Sequence, residues 1–388
     1  MTATATLTVA HLRHRWLSQT ETWIYEQVRY LPPEVQSHIV CSYTENLDQF
    51  SVPNIHSLSD DRSIAGMTGK LARRFKFRSK DQSLIAILKR TGALLAHSHF
   101  GNHAWSNLSI IEAAGVRHVA TYYGMDASRL PTVEPVWRER YHELFAKVDR
   151  VLCEGPYMGQ TIQDLGCPAE KVRVHHLGVK VDQIEYRPRQ WKPGEPLRIL
   201  IAGSFREKKG IPYAISAVGE LSKSVSVELT IIGDASAEPQ CQEEKKTILD
   251  MVKSAGLASK TRMLGYQSHK IFFEEAYHSH VFMSPSIRAS DGDTEGGAPV
   301  SIIEVMATGM PVVSTTHCDI PNVIAEGTGL LAPERDVPAL IGHLQWLVAH
   351  PEQWESMTAA ARRRVETEFD CAMQGRRLAQ VYREVVAS

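Results

Sequence analysis

Short apolar, β-branched runs alternate with longer amphipathic segments from end to end of this 388-residue chain, and no other feature limits its fold so sharply. A parallel strand is buried on both faces and reads as an unbroken apolar run. The crossover to the next parallel strand needs a dozen or more residues and is usually a helix. The alternation therefore predicts βαβ units and parallel sheets, an α/β architecture. Strands are expected near Thr6–Leu12, Ser37–Ser42, Leu94–Phe100, His118–Gly124, Arg150–Glu154 and Val172–Leu177. Residues Val179–Pro196 then carry three prolines and mixed charge without any period, which is linker composition. A second set of strands follows at Leu197–Phe205, Leu229–Asp234, Arg262–Tyr266, Val281–Ser286 and Pro311–Thr315. Helical stretches at Asp336–His350 and Pro351–Val386, the latter interrupted near Phe369–Asp370, close the chain. The expected organisation is two Rossmann-like domains, 1–185 and 186–368, whose sheets face each other across a cleft, with a helix at 369–388 crossing back to the first domain.

Composition narrows the class without naming a partner. Hydrophobic residues make up 43% and charged residues 22%, and the formal charge is −1, so neither disorder nor bulk affinity for nucleic acid is indicated. No apolar run is long enough to span a membrane, and Met1–Ala10 has no signal-peptide character, so a cytoplasmic location is expected. The six cysteines form no CxxC and are expected to be free thiols, with no metal site.

In open parallel sheets the ligand lies beyond the carboxyl ends of the strands, so the loops after strands hold the chemistry. The densest of them is Ser284–Thr315, SPSIRASDGDTEGGAPVSIIEVMATGMPVVST. Here Gly296-Gly297-Ala298-Pro299 leads into an apolar helix with Pro299 in a first-turn position, and the exposed amides and positive end of such a helix suit a diphosphate. Glu295 stands at the mouth of this loop and Glu304 lies more than one turn into the helix. Carboxylates accept hydrogen bonds from hydroxyls, so the pair fits a sugar and a ribose, although a helix-end charge and a solvated helical Glu would share the spacing. The loop Gly203-Ser204-Phe205-Arg206-Glu207-Lys208-Lys209-Gly210 follows the strand that opens the second domain. Its cations suit a departing diphosphate, and it matches neither the P-loop nor the GxGxxG pattern. A charged surface loop would have the same composition.

Taken together the motifs resemble those of family 4 retaining glycosyltransferases of the GT-B fold, close to bacterial exopolysaccharide and colanic-acid-type enzymes. Thr20-Glu21-Thr22-Trp23-Ile24 resembles the family's SETFI segment, Ala96–Gly101 its HAHFG, and Thr121–Asp126 its TFHGxD. Arg206–Gly210 resembles the VEKKG loop, Ile231–Asp234 the IIGDG, Leu264-Gly265-Tyr266 the LGY, and Glu295–Glu304 followed by Gly309–Ser314 the two-glutamate signature with its GxPVV strand. The resemblance implies that Glu295, Gly296 and Gly297 hold the donor sugar, and that Glu304 binds the ribose. Lys209, with Arg206 and Ser204, would hold the diphosphate, and the backbone near Gly265 and Tyr266 would meet the base. Thr20, Glu21, Tyr123 and Asp126 fall on the acceptor side. The implied reaction moves a hexose-type sugar from a UDP-sugar or GDP-sugar, with retention and without a divalent metal, to a glycan or lipid-linked acceptor in cell-surface polysaccharide synthesis. A GT-B nucleotide-sugar 2-epimerase and a non-catalytic sugar-nucleotide-binding partner are the competing readings.

Three departures from the family pattern bear on the site. Eight residues, GGAPVSII, separate the glutamates where the family has seven. Gly203-Ser204 stands where the family has Gly-Arg, with Arg206 two positions on, able to reach the same phosphate if the loop is extended there. Tyr123 replaces an active-site His, which leaves His99 as a candidate for the acceptor-side role. Asp291-Gly292-Asp293 and the trio His97, His99 and His103 look like metal-binding patterns, but a polar turn and strand-end histidines explain them more simply. Finally, Lys70–Lys80, KLARRFKFRSK, has six basic residues, two Phe and no acid, in a half of the chain that is net positive. Either a solvated basic helix or attachment to an anionic membrane surface fits, and the second is favoured by the charge bias; nucleic acid is not expected.

Overall fold

The computed structural model describes residues 6–18, 21–59 and 80–388, so the Lys70–Lys80 cluster, apart from Lys80 itself, and Thr20 lie outside the described residues. The chain forms two compact units, one of 1–178 with 371–388 and the other of 179–370.

In the first unit the strands are β1 (Leu7–Trp16), β2 (Val35–Thr44), β3 (Ile55–Ser57), β4 (Leu95–His99), β5 (Arg117–Thr121), β6 (Arg150–Cys153) and β7 (Val172–Val174). They form one parallel sheet in the order β3-β2-β1-β4-β5-β6-β7, the doubly wound pattern in which the chain reverses direction beside β1. One face buries Leu7, Val9, Leu95, Val119 and Leu152 under Leu378, Ala379, Tyr382 and Val385 of the last helix, Cys371–Ala387. That helix is amphipathic, and each fully buried Leu or Val contributes roughly 1.5–3 kcal/mol. Further along the same strands the face becomes polar. His11 pairs with His97 in register, the next row toward the carboxyl ends carries His99 beside Thr121, and Tyr123 follows just beyond the end of β5.

The second unit has β8 (Leu197–Ala202), β9 (Val227–Ile232), β10 (Thr261–Met263), β11 (Val281–Ser284), β12 (Val312–Thr315) and β13 (Leu330–Ala332) in the parallel order β10-β9-β8-β11-β12-β13. Alternation sends Ile199, Ile201, Met283 and Val313 to one core and Leu200, Phe282 and Val312 to the other, so the sheet is covered on both faces. The helix Val337–Ala349 starts where expected because the Asp336 carboxylate caps it, accepting the Ala339 N–H at 2.9 Å.

Two expectations need correcting. Residues 179–196 are not a free linker: they belong to the second unit, where Val181, Ile184 and Trp191 are buried at irregular spacings that give no period. The guanidinium of Arg189 is buried with them and donates to the carbonyls of Ala276, Ser279 and Thr308. Each sheet also gains an edge strand, β3 in the first unit and β13 in the second, three residues each and too short for a period to register.

Candidate active site

The second unit concentrates its charged motifs at the carboxyl ends of β8 and β11. Gly210 ends the phosphate-loop candidate in a left-handed conformation (φ 61°), and a Cβ there would stand 2.0 Å from the Pro285 carbonyl. Only glycine lets the two loops approach this closely. The Lys208 carbonyl accepts the Ile287 N–H at 2.8 Å, and the Glu207 carboxylate accepts both the N–H and the hydroxyl of Ser290, at 2.9 and 2.6 Å.

On this frame Lys209 Nζ lies 2.9 Å from Glu295 Oε2, and the Ser286 hydroxyl donates to Glu295 Oε1 at 2.9 Å. The Glu295 side chain is 6% exposed. Burial alone would raise its carboxyl, but the ammonium groups of Lys209 and Lys208 outweigh burial and hold it at about 2. Lys208 reaches Asp293 Oδ1 at 3.2 Å and the Thr294 carbonyl at 2.8 Å, so Asp291-Gly292-Asp293 is a turn whose second acid is already engaged by a cation. Arg206 is extended (φ −132°, ψ 142°), as its two-residue offset requires. Its head pairs with Glu238 at 3.0 Å and lies 3.8 Å from Asp293, rather than joining Lys209 on Glu295. The Ser204 carbonyl accepts the Arg206 N–H.

The helix that follows spans Val300–Thr308, with Pro299 just outside it at the cap instead of in the first turn. Gly296 takes a left-handed conformation (φ 77°), and its N–H turns back to the Thr294 hydroxyl at 3.2 Å. Gly297 continues this turn toward the helix. Glu304 projects from the helix to His269 Nε2 at 2.7 Å. Gly265 (φ 68°) accepts the Gly233 N–H at 2.9 Å, and Tyr266 beside it is 55% exposed.

In the first unit the predicted acceptor-side residues gather around the ends of β1, β4 and β5. Arg13 makes two 2.7 Å bonds to Glu21 and stacks on Phe100, a non-glycine residue at φ 74°. Asp126 is fully buried and accepts N–H groups from Gly101 at 2.7 Å and Tyr123 at 3.0 Å. Burial prevails over those bonds and raises its carboxyl to about 6. His99 is fully buried, with Nδ1 2.7 Å from the Tyr123 hydroxyl and Nε2 3.2 Å from His11 Nδ1. Burial keeps all of this histidine layer in the neutral form, with His11 lowered to about 3. Among the described residues His11, His97 and His99 form the one group of three metal-type ligands within 4.8 Å of one another, and His11 joins it where the sequence suggested His103. Both His97 nitrogens are taken, by Tyr382 at 2.7 Å and Thr121 at 2.6 Å.

The sequence reading missed Ser286, Lys208, His269, His317 and Glu334. Lys208 adjoins Lys209, and Ser286, His317 and Glu334 each follow a strand at its carboxyl end, a position that marks them in the sequence.

Comparison with known proteins identifies the family. A profile described as Glycosyltransferase Family 4 matches residues 20–183, and one described as Glycosyl transferases group 1 matches residues 182–364. The amylovoran biosynthesis glycosyltransferase AmsK of Erwinia amylovora is 32% identical over 74% of this chain and 69% of its own length. The putative colanic acid biosynthesis glycosyltransferase WcaL of Escherichia coli is 31% identical over 73% and 69%. In fold, the chain is similar to sucrose-phosphate synthase from Thermosynechococcus elongatus, with TM-score 0.76, 16% identity and coverage of 98% and 99%. Anabaena Alr3699/HepE, solved in complex with UDP and glucose, gives TM-score 0.73, 15% identity and coverage of 97% and 99%. With two doubly wound parallel sheets and these relatives, the chain belongs to the GT-B glycosyltransferases of the group 1 and family 4 type, among the exopolysaccharide biosynthesis enzymes.

Proposed function

We propose that this enzyme moves a hexose-type sugar from a UDP- or GDP-activated donor to a hydroxyl of a lipid-linked glycan acceptor, with retention at the anomeric carbon and without a divalent cation. The reading is carried by the 2.9 Å contact between Lys209 and Glu295, which joins the two motifs that the resemblance assigns to diphosphate and sugar. In this reading the arriving diphosphate takes the Lys209 ammonium, and the freed Glu295 carboxylate accepts hydrogen bonds from the sugar hydroxyls. Glu304, offered by the helix and now held by His269, takes the ribose hydroxyls. As the glycosidic bond to phosphate breaks, negative charge grows on the diphosphate next to Lys209, where a fixed cation stabilises it without solvent reorganisation. The leaving phosphate accepts the proton of the incoming hydroxyl on the same face.

On the acceptor side Tyr123 presents a phenol, which donates a hydrogen bond but is not a base near neutral pH, since burial raises it well above its ordinary value. His99 is sealed behind it, so in this reading it acts through Tyr123 as a positioning residue. No described helix is long and apolar enough to cross a membrane, and the proposed route to a lipid-linked acceptor is a cytoplasmic enzyme held at an anionic membrane surface by the Lys70–Lys80 cluster.

The test is a panel of UDP- and GDP-sugars mixed with the purified chain, with and without acceptor glycans and EDTA. Slow release of nucleoside diphosphate from one donor, accelerated by an acceptor and indifferent to EDTA, is expected. Epimerised sugar released without an acceptor would establish the epimerase reading, and tight donor binding with no turnover the non-catalytic one.

A further inference from the structure

The loop from Ile287 to Gly296 is tied at both ends to one carboxylate. Glu334 Oε2 accepts the Arg288 N–H at 2.8 Å, at the start of the loop. Glu334 Oε1 lies 2.6 Å from His317 Nδ1, and His317 Nε2 lies 3.1 Å from the Glu295 backbone nitrogen, at the end of the loop. A backbone N–H can only donate, so Nε2 of His317 must be unprotonated. The ring proton then sits on Nδ1 and points at Glu334. The Cys318 thiol also faces Nε2, at 3.1 Å; burial pushes it up to about 12, so it stays protonated and has an S–H to donate to the same nitrogen. His317 itself is 2% exposed, which leaves water no part in choosing the tautomer.

The consequence reaches Glu295. Its side chain is aimed at Ser286 and Lys209, and its own backbone N–H is the group that His317 holds. A rotation of that peptide would swing the carboxylate away from both partners. Lys209 and Lys208 fix the loop from one side through side chains, whereas the His317–Glu334 pair fixes the backbone from the other. Neither His317 nor Glu334 is bonded to Glu304, whose partner is His269.

We propose that His317 and Glu334 are positioning residues for sugar transfer: they lock the peptide at Glu295 so that its carboxylate meets the sugar end of the donor, and they leave the nucleotide end alone. This rests on the reading that the loop takes the donor sugar.

The test compares the full-length wild type with His317→Leu, His317→Gln and Glu334→Gln. Turnover is measured with the donor that the wild type uses, and the affinity for UDP and GDP by calorimetry. His317→Leu should lower kcat by about 10- to 100-fold, the cost of misplacing a reacting group by about an ångström. UDP or GDP affinity should stay within about twofold, because an interaction confined to the sugar end is missing from the free nucleotide. His317→Gln, whose side-chain carbonyl can accept the same N–H, should recover part of the loss. Nitrogen-15 spectra of labelled histidines, with His317→Gln as the assignment control, should show a neutral ring protonated on Nδ1 in the wild type. Turnover of His317→Leu within about twofold of wild type, or nucleotide affinity falling in step with turnover, would overturn the inference. So would a wild-type ring protonated on Nε2. A wild type that turns over no nucleotide sugar overturns the donor reading and this inference with it, whereas an active wild type with an unaffected His317→Leu overturns the inference alone.

Discussion

Replacing Lys209 by methionine removes an ammonium group and keeps most of the aliphatic stem, which packs 3.4 Å from where a Cβ on Gly203 would stand. What remains is a Glu295 carboxylate 6% exposed, with Ser286 and the more distant Lys208 as company. The magnitude follows from the carboxyl's own position. It is held at about 2 against an ordinary 4.5, with Lys209 the largest of the groups pulling it down. At 1.36 kcal/mol per pH unit the net excess of all these attractions over burial amounts to about 3 kcal/mol, and Lys209 is the largest of them, so Lys209→Met should destabilise the second unit by about 2–4 kcal/mol at neutral pH, as expected when one partner of a buried pair is removed. Glu295 in the wild type contributes stability that is complete above its unfolded value of 4.5 and is lost only as pH falls through about 2. In Lys209→Met the largest of the groups opposing burial is gone, the carboxyl rises from about 2, and the penalty should shrink as acidification neutralises it. Urea titrations followed by tryptophan fluorescence at about pH 7.5 and about pH 5 would measure both effects. The double variant Lys209→Met/Glu295→Gln removes the stranded charge and should regain at least about half of the lost stability while remaining unable to transfer sugar. A loss below about 1 kcal/mol, or a double variant no more stable than the single, would refute the claim that the pair is a buried charge balance.

Glu304→Gln should weaken binding of the free nucleoside diphosphate and the donor alike, whereas Glu295→Gln should spare the nucleotide and impair transfer; calorimetry with equal losses in both would end that division. Asp126→Asn places an amide against one of the N–H groups of Gly101 and Tyr123 that both carboxylate oxygens now accept, so the first unit should lose about 1–3 kcal/mol in a urea titration. Changing Arg73, Arg74, Lys76 and Arg78 to Gln should abolish low-salt co-sedimentation with phosphatidylglycerol vesicles, since each basic residue near such a surface contributes about 1 kcal/mol, and should leave activity on a short soluble acceptor intact.

The second unit was the more legible one because its chemistry is contiguous. Arg206 to Lys209 and Asp293 to Glu304 each lie on one short stretch after one strand, so spacing alone put them at the carboxyl ends of β8 and β11. The first unit's polar layer is assembled from β1, β4, β5 and the last helix, and His11 and Tyr382 carry no local mark of meeting His99 and His97. Their type even misleads, since the trio with metal-like spacing in the sequence includes His103, and the one brought together in space replaces it with His11. Residues 179–196 failed for the opposite reason. Their prolines and charges have linker composition, but Arg189 is buried because three carbonyls at the ends of other elements need its donors, a requirement that no window of sequence contains.

Four charged side chains of the phosphate-loop candidate already have partners before any ligand arrives. Arg206 holds Glu238, Glu207 holds Ser290, Lys208 holds Asp293 and Lys209 holds Glu295, four consecutive residues each tied to a partner. Leaving two lysines unpaired beside a buried strand end would raise the cost of folding, and leaving Glu295 unpaired would raise its carboxyl toward protonation. Of these partners Lys208 and Asp293 are the more buried, and they also fix the backbone through the Thr294 carbonyl, so they are scaffold. Lys209 and Glu295 have no such second duty through their own side chains beyond the Ser286 hydroxyl. On the proposed reading they are therefore the pair that opens, and one event makes both functional. A diphosphate that draws off the ammonium releases the carboxylate at the moment when the attached sugar is there to receive it. A free sugar brings no charge to compete for Lys209, so on this reading the loop would discriminate for the nucleotide-linked form through the ion pair.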